Sequence, residues 1–294
     1  MIARRSRSAV GEPRLLLLPA WAWYVAFLAV PLAYMVVYSL AVNDPDRFFA
    51  IDFGIHCTQY AKAWDPLYLR VYRDTFVMAF TGTLGCLVIG YPFAYFLALR
   101  VRRHRSLLIL LVVIPFWTSL LIRTYAWALI LGESGALSKF LQRIGLLSQP
   151  LDVMYSSRAV WIGIVYDYLP LMVFPIYVAL ERMDLRLKEA SRDLGAGKWA
   201  TFRRVTLPMT LPGVLTGSLL TFIPMTGEYV VPQVLGGAKS FLVGSLVANQ
   251  VLVGIDYLFG AALSMGLVVT LLIVILAYLR ALGRRTEENL GAML

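Results

Sequence analysis

Residues 187–213 read LKEASRDLGAGKWATFRRVTLPMTLPG, and this stretch indicates more about the fold than any other part of the sequence. Its first part is rich in residues that favour helix, and Gly195 with Gly197 then permits a sharp change of direction. A second short helix is expected over residues 199–205, before Pro208 leads the chain into an apolar run. The stretch therefore predicts an exposed helix–turn–helix, a shape suited to docking a soluble partner.

Long apolar runs lie on both sides of this stretch. Of the 294 residues, 60% are hydrophobic and only 15% are charged, whereas soluble domains are closer to half apolar and a quarter charged. Because a helix rises ~1.5 Å per residue, about 20 apolar residues cross the hydrocarbon layer of a membrane. We expect an all-α integral membrane protein in which residues 1–294 form one membrane domain. The six predicted spans cover residues 15–42, 74–99, 106–131, 159–180, 213–236 and 260–280.

The positive charges are distributed unequally between the two sides of these spans. Residues 1–14, 100–105, 181–212 and 280–294 carry twice as many Lys and Arg residues as the remaining connections. By the positive-inside rule, both termini and the loop 181–212 are predicted to be cytoplasmic. The apolar stretch after the basic N-terminus is too long for a cleavable signal, so we interpret it as an uncleaved first helix. No basic soluble domain remains to bind nucleic acid, despite the net charge of +10.

Proline residues recur inside the predicted spans. Each one removes a backbone hydrogen bond that lipid cannot replace, so neighbouring helices or a wet cavity must compensate. Ordinary kinking of the helices is the expected consequence for most of these positions. They are Pro31, Pro92, Pro115, Pro170, Pro175 and Pro224.

The residues that usually support metal binding or covalent catalysis are scarce. The chain contains only Cys57 and Cys86 among cysteines, and only His56 and His104 among histidines. Their spacing fits no known pattern of metal ligands, and the two cysteines are poorly placed for a disulfide. No nucleophile with a placed base is visible, so we expect no metal site and no catalytic residues.

A short resemblance to a phosphate-binding loop occurs at Gly197 and Lys198. That motif requires a glycine five residues before its second glycine, and a Ser or Thr after the lysine. This chain has Arg192 and Trp199 at those positions. The chain is therefore not expected to bind ATP by this route.

The stretch around Gly195 resembles the EAA loop of ABC importer permeases. That loop runs Glu-Ala-Ala, three residues, Gly, nine residues, an Ile-like residue, one residue, and Leu-Pro. The resemblance implies a type I ABC importer permease whose loop docks in a groove of a cytoplasmic ATPase, which binds ATP and Mg²⁺. Ser191 in place of the second alanine is the one departure. The residues at the motif positions are Glu189, Ala190, Ser191, Gly195, Val205, Leu207 and Pro208.

Further segments resemble the polyamine permeases for spermidine and putrescine, particularly the first of their two membrane subunits. The resemblance implies a bacterial inner-membrane protein that assembles with a second permease subunit, two copies of an ABC ATPase and a periplasmic substrate-binding protein. Related permeases for other small solutes, such as amino-acid derivatives or other organic ions, share part of the pattern. The segments are DPLYLRVYRDTF (65–76), GYPFAYFLA (90–98), IPFWTSLLIRTYAW (114–127), GIVYDYLPLMVFPIY (163–177) and GEYVVPQVLGG (227–237).

Two acidic residues inside the spans suggest a site for a cation. By helix rise, Asp167 lies ~10 Å and Glu228 ~12 Å from the outer ends of their spans. Acidic groups at such depth are costly and usually face a cavity. Carboxylates pair with the ammonium ends of an alkyl diamine, while aromatic faces add cation–π attraction. The aromatic residues predicted to line the pathway with them are Trp117, Tyr125 and Tyr229.

An alternative explanation of the two acids remains open. Arg123, at the outer end of the third span, pairs with either carboxylate in that case and forms a purely structural ion pair. The aromatic residues then belong to an ordinary interfacial girdle. A secondary transporter is a second alternative, but its inverted repeat or paired half-helices are not visible in the sequence.

Overall fold

The computed structural model of the protein describes residues 13–43, 51–101, 103–237 and 240–291, with the backbone alone for 13–18 and 281–291. Most of the basic N-terminal segment and Lys239 lie outside the described residues. Two-residue strands β1 (Val42–Asn43) and β2 (Ile51–Asp52) pair antiparallel, with Val42 opposite Asp52. The helices are α1 Pro13–Tyr24, α2 Val30–Leu40, α3 Thr58–Ala63, α4 Pro66–Leu99, α5 Arg105–Trp117, α6 Leu120–Leu131, α7 Ala136–Arg143, α8 Ser157–Glu181, α9 Leu185–Asp193, α10 Lys198–Thr201, α11 Leu207–Thr226, α12 Val243–Leu252 and α13 Tyr257–Gly291, with π-helical segments Val25–Ala29, Phe202–Thr206 and Pro232–Gly236.

Five helices of the described chain are long and apolar enough to cross a membrane, or six when a bent pair of helices is counted as one span. This confirms the predicted all-α membrane fold. The bounds differ from the predicted ones by up to 15 residues, because polar residues at a helix end do not stop the helix. The long helices are Pro19–Leu40, Pro66–Leu99, Ser157–Glu181, Lys198–Thr226 and Tyr257–Arg280.

The third predicted span, 106–131, is not one continuous helix. The helix α5 ends at Trp117, and the stretch Leu120–Arg143, which contains α6 and α7, leaves it at an angle of 97°. Thr118 and Ser119 are extended between the two helices, and the Thr118 hydroxyl donates to the Pro115 carbonyl at 2.7 Å. The prediction of one span over residues 106–131 missed this break, at which the backbone N–H and the hydroxyl of Thr118 both donate to the Pro115 carbonyl and cap the end of α5.

The described chain divides into two compact units. The smaller unit contains α2 and α3 from one end of the chain and α13 from the other. Within it, Lys62 Nζ lies 3.4 Å from Asp256 Oδ2 and 4.1 Å from the centre of the Phe259 ring. Asp256 also caps α13, since its Oδ1 accepts from the Phe259 backbone N–H at 3.1 Å. Lys62 therefore links α3 to the start of α13, in addition to the apolar contacts of this unit.

The larger unit, Pro66–Asn249, is built around α8. Helices α4 and α11 pack along α8, and the buried core between them includes Ile164, Met172 and Ile176. The helices approach closely at glycines: a Cβ on Gly85 would lie 2.5 Å from the Trp161 ring. In lipid such contact replaces the hydrophobic effect as the source of helix association. Both candidate sites described below lie in this unit.

Candidate functional site

The predicted helix–turn–helix is present at α9 and α10. Asp184 caps α9, since its Oδ1 accepts from the Arg186 backbone N–H at 2.9 Å. At the other end, the Ala196 N–H donates to the Ser191 carbonyl at 3.1 Å. Gly195 has φ +84, in the left-handed region, and nothing would contact a Cβ placed on it. The turn therefore depends on glycine for its backbone conformation and leaves the surface around it open.

Large apolar side chains of this segment face away from the protein. Leu194 is 88% exposed and Trp199 is 73% exposed, and Leu185 and Leu187 are also exposed. A cluster of apolar side chains of this size on an otherwise polar segment is typical of an interaction surface. Among the motif residues, Glu189, Ala190, Gly195 and Pro208 are exposed, whereas Ser191, Val205 and Leu207 are half-buried.

The chain does not break between the second short helix and the membrane. It stays helical from Lys198 to Thr226, passing through the π-helical turn Phe202–Thr206 and past Pro208 and Pro212. The Leu207 N–H donates to the Phe202 carbonyl, five residues back, so the wider turn makes room for the proline that follows.

The prediction that the loop 181–212 and the span 213–236 are separate elements was therefore wrong. The loop's second half belongs to the same helix as the span, and that helix ends at Thr226, ten residues before the predicted end. After Gly227 a new helical segment begins, and Glu228 lies at this break.

Asp167 is buried on α8 beside Arg123 on α6. Asp167 is 4% exposed, and its Oδ1 lies 3.4 Å from Nη1 of Arg123. Among the described residues, the two carboxylate oxygens of Asp167 have no hydrogen-bond partner, and the Nε of Arg123 has none either. The Arg123 guanidinium also lies over the Phe116 ring, at 5.6 Å from its centre. Asp167 and Arg123 thus form an ion pair, and both carboxylate oxygens of Asp167 can still accept hydrogen bonds.

Glu228 is equally buried, at 5% exposure, but its oxygens are occupied by the protein. Oε2 accepts from the Tyr168 hydroxyl at 2.6 Å, and Oε1 accepts from the backbone N–H groups of Val230 at 2.9 Å and Val231 at 3.3 Å. Glu228 therefore caps the helical turn that follows it. Because Tyr168 directly follows Asp167, this hydrogen bond brings the two acidic residues to neighbouring positions.

The three predicted aromatic residues are exposed. Trp117 lies at the end of α5, Tyr125 lies on α6 and Tyr229 directly follows Glu228. Within the described residues, no ring contact or hydrogen bond links the side chains of Trp117 or Tyr125 to either acid. Tyr168 donates a hydrogen bond to Glu228, and in the sequence only its place beside Asp167 pointed to it.

The sequence of this chain matches a known family and several related permeases. Residues 90–287 match the family described as binding-protein-dependent transport system inner membrane component. The spermidine/putrescine transport system permease protein PotB of Haemophilus influenzae is 40% identical over 270 residues, which cover 91% of this chain and 94% of the relative. PotB of Escherichia coli is also 40% identical, over 88% of this chain and 94% of the relative.

The fold also matches a solved structure. A chain in the crystal structure of a bacterial ABC transporter involved in the import of the acidic polysaccharide alginate aligns with a TM-score of 0.73. The sequences are 17% identical, and the alignment covers 92% of this chain and 94% of that chain. At this identity the likeness supports the permease fold and carries no information about the solute.

Proposed function

The chain belongs to the binding-protein-dependent transport system inner membrane components, and from this membership we propose that it forms part of the pathway of an ATP-driven importer for a polyamine such as putrescine or spermidine. The 40% identity to spermidine/putrescine permeases over about nine-tenths of the chain supports the solute class. Two buried carboxylates, Asp167 and Glu228, supply the negative charge that an alkyl diamine or triamine requires.

The observation that carries the coupling role is the unbroken helix from Lys198 to Thr226. Its 29 residues extend about 43 Å at the usual helical rise. One end begins at α10 with the exposed Trp199, which belongs to the docking segment formed by α9 and α10 (residues 185–201), and the other end stops at the break that places Glu228. A displacement of α9 and α10 by an ATPase therefore moves the acidic region through one rigid element.

The remaining parts of the assembly follow from the same proposal. A second permease subunit completes the pathway, two copies of a cytoplasmic ABC ATPase bind ATP and Mg²⁺, and a periplasmic binding protein delivers the solute. The N- and C-termini and the docking segment are cytoplasmic, as the distribution of Lys and Arg indicates. The pathway opens outward to receive the solute and inward after the ATPases reset.

Uptake by the reconstituted transporter tests this function. The complex is purified on a tag carried by this chain, reconstituted in proteoliposomes with its binding protein, and supplied with ATP and radiolabelled putrescine or spermidine. We expect ATP-dependent uptake that an excess of either unlabelled polyamine suppresses and that an excess of a neutral amino acid or sulfate leaves unchanged. In the Gly195→Pro variant, we expect ATP hydrolysis to continue while uptake is lost, because proline cannot adopt φ +84.

Each part of the proposal has its own contradicting result. ATP-dependent uptake of another solute in place of polyamines would overturn the solute class and leave the permease role intact. Uptake driven by an ion gradient without ATP would favour a secondary transporter. Normal uptake by Gly195→Pro would contradict the docking role of the α9–α10 segment.

A further inference from the structure

A cavity of about 330 Å³ lies against the docking segment, and positively charged side chains surround it. Arg100 follows the end of α4, Lys188 and Arg192 come from α9, and Lys198 begins α10. Lys188 and Arg192 are one helical turn apart, so they project from the same face of α9. Four cationic residues from three parts of the fold therefore converge on one small volume.

The inner wall of the cavity is made of hydroxyl groups and aromatic rings. Thr201 and Thr206 are each 1% exposed, and the Thr201 hydroxyl lies 3.3 Å from the Ser191 hydroxyl. The Tyr95 hydroxyl accepts from Lys188 Nζ at 3.0 Å, which leaves its own proton available to a ligand. The Phe202 ring packs edge-on against the Tyr95 ring, with 6.4 Å between ring centres. These contacts fix the wall of the cavity before any ligand arrives.

Carboxylates are missing from the described lining of this cavity. Within the described residues, no carboxylate lines the cavity, and none of its Lys and Arg residues lies within ion-pair distance of an Asp or Glu. Like charges one turn apart on a helix repel each other, so the Lys188 and Arg192 pair is unfavourable in the empty site. An anion bound between these residues removes this repulsion.

We propose that this cavity binds a phosphate group. Guanidinium groups donate two parallel hydrogen bonds to phosphate oxygens, and ammonium groups add point charges, so Arg and Lys together suit a multiply charged oxyanion. The hydroxyls of Tyr95, Thr201 and Thr206 provide further donors of the kind that phosphate oxygens accept. At about 30 Å³ per water molecule, the cavity holds roughly ten waters, which is enough for a phosphate and its nearest substituent.

Two sources supply this chemistry at a membrane surface. One is the headgroup of an anionic lipid, since basic pockets beside membrane helices on the cytoplasmic side recruit such headgroups. The other is soluble phosphate or pyrophosphate. Either ligand bridges the end of α4 and the α9–α10 segment, and thereby limits how far the docking segment moves relative to α4. The site is independent of the transported solute, so it goes beyond the proposed function.

Binding to the full chain in lipid nanodiscs tests the proposal and separates the two sources. In one arm, native mass spectrometry measures retention of phosphatidylglycerol against phosphatidylcholine. In the other, calorimetry titrates inorganic pyrophosphate into nanodiscs of phosphatidylcholine alone. The test variant is Lys188→Gln with Arg192→Gln. The matched control is Arg203→Gln with Arg204→Gln, which removes the same charge from exposed positions outside the cavity.

We expect the test variant to weaken binding in at least one arm by about tenfold or more, as the loss of two basic contacts to a phosphate implies. The control should change binding by less than about twofold, since distant surface charges are screened. Lipid retention with this dependence identifies a lipid site, and pyrophosphate binding with this dependence identifies a soluble ligand. Circular dichroism and thermal unfolding establish that both variants fold like the native chain.

Three results would overturn the proposal. The first is absence of binding in both arms. The second is equal weakening by the test and control variants, which would indicate diffuse attraction to the basic surface. The third is loss of binding whenever the complex contains its ATPase, which would mean that acidic side chains of that partner occupy the cavity instead of a phosphate.

Discussion

The acidic region around Asp167 and the docking segment around Gly195 depart from ordinary folding rules in opposite directions. Asp167 is a charge buried in an apolar helix bundle, whereas Leu194 and Trp199 are large apolar side chains exposed on a polar segment. Folding stability by itself favours neither arrangement. The comparison teaches that each region carries a cost to folding that the proposed function explains: a charged solute for the acidic region, and an apolar surface of a partner protein for the docking segment.

The acidic region contains a second contrast of the same kind. Glu228 is bound by one hydroxyl and two backbone N–H groups of its own chain, so it holds a helix break in place. Asp167 has only the nearby guanidinium of Arg123, and its oxygens accept no hydrogen bond from the described residues. Of the two acids, Asp167 therefore has the carboxylate oxygens that are free of hydrogen bonds from the described chain, whereas those of Glu228 are in use.

The largest expected effect is on stability, from Arg123→Leu. This substitution leaves the Asp167 carboxylate buried without its counter-charge, and we expect a loss of about 3–5 kcal/mol of unfolding free energy. Denaturant unfolding of the purified chain in detergent measures it. The double variant Arg123→Leu with Asp167→Leu should recover most of the loss. Arg73→Leu, which breaks the exposed pair with Asp74, should cost less than about 1 kcal/mol. Equal losses at Arg123 and Arg73 would mean that burial does not distinguish the two pairs.

An intermediate effect is expected on transport, from neutralising the two acids separately. Asp167→Asn should lower polyamine uptake about tenfold or more, since it removes a charge-assisted contact and leaves Arg123 to repel the substrate. Glu228→Gln should lower uptake less, because the amide oxygen still accepts from the Val230 N–H. Asp74→Asn is the control, because this acid is half-exposed and paired with its neighbour. Unchanged uptake in both site variants would remove the acids from the pathway without affecting membership in the family.

The smallest effect is expected in the docking segment, where alanine replaces each of two glycines. Gly195→Ala places a side chain at φ +84, which costs about 1–2 kcal/mol in the left-handed region. Gly197 has φ −65, which alanine adopts freely, and its surroundings are open. We therefore expect Gly195→Ala to increase hydrogen exchange of α9 and α10 and to lower the uptake achieved per ATP hydrolysed, while Gly197→Ala leaves both unchanged. Identical behaviour of the two variants would show that the turn does not depend on its left-handed residue.

The predictions from sequence succeeded where short-range chemistry decides the structure. Apolar runs predicted the membrane helices, and Gly195 marked the turn between α9 and α10, because both signals depend on residues close together in the chain. The break at Thr118 and the helix that continues past Pro208 were not predicted. Both depend on a change of hydrogen-bond partner in the backbone. The Pro115 carbonyl accepts from the Thr118 hydroxyl, and the Leu207 N–H donates to the Phe202 carbonyl through a wider helical turn.

The acidic site was predicted only in part for a related reason. Depth along the spans placed Asp167 and Glu228 together, but side-chain pairing between helices depends on their rotation and crossing. The sequence therefore left open whether Arg123 pairs with Asp167 or with Glu228. It also did not assign Tyr168 to Glu228, which would require knowing that Glu228 lies at a helix break.

Composition, the spacing of apolar runs and the twenty residues from Glu189 to Pro208 determined that this chain is a membrane permease with a docking segment, because these features are local and survive without a fold. Only the tertiary structure decided that Glu228 is hydrogen-bonded by its own chain, that Asp167 accepts no hydrogen bond from the described residues, and that four cations share one cavity. Those outcomes depend on distances between side chains far apart in sequence, which the packing of α4, α8 and α11 sets.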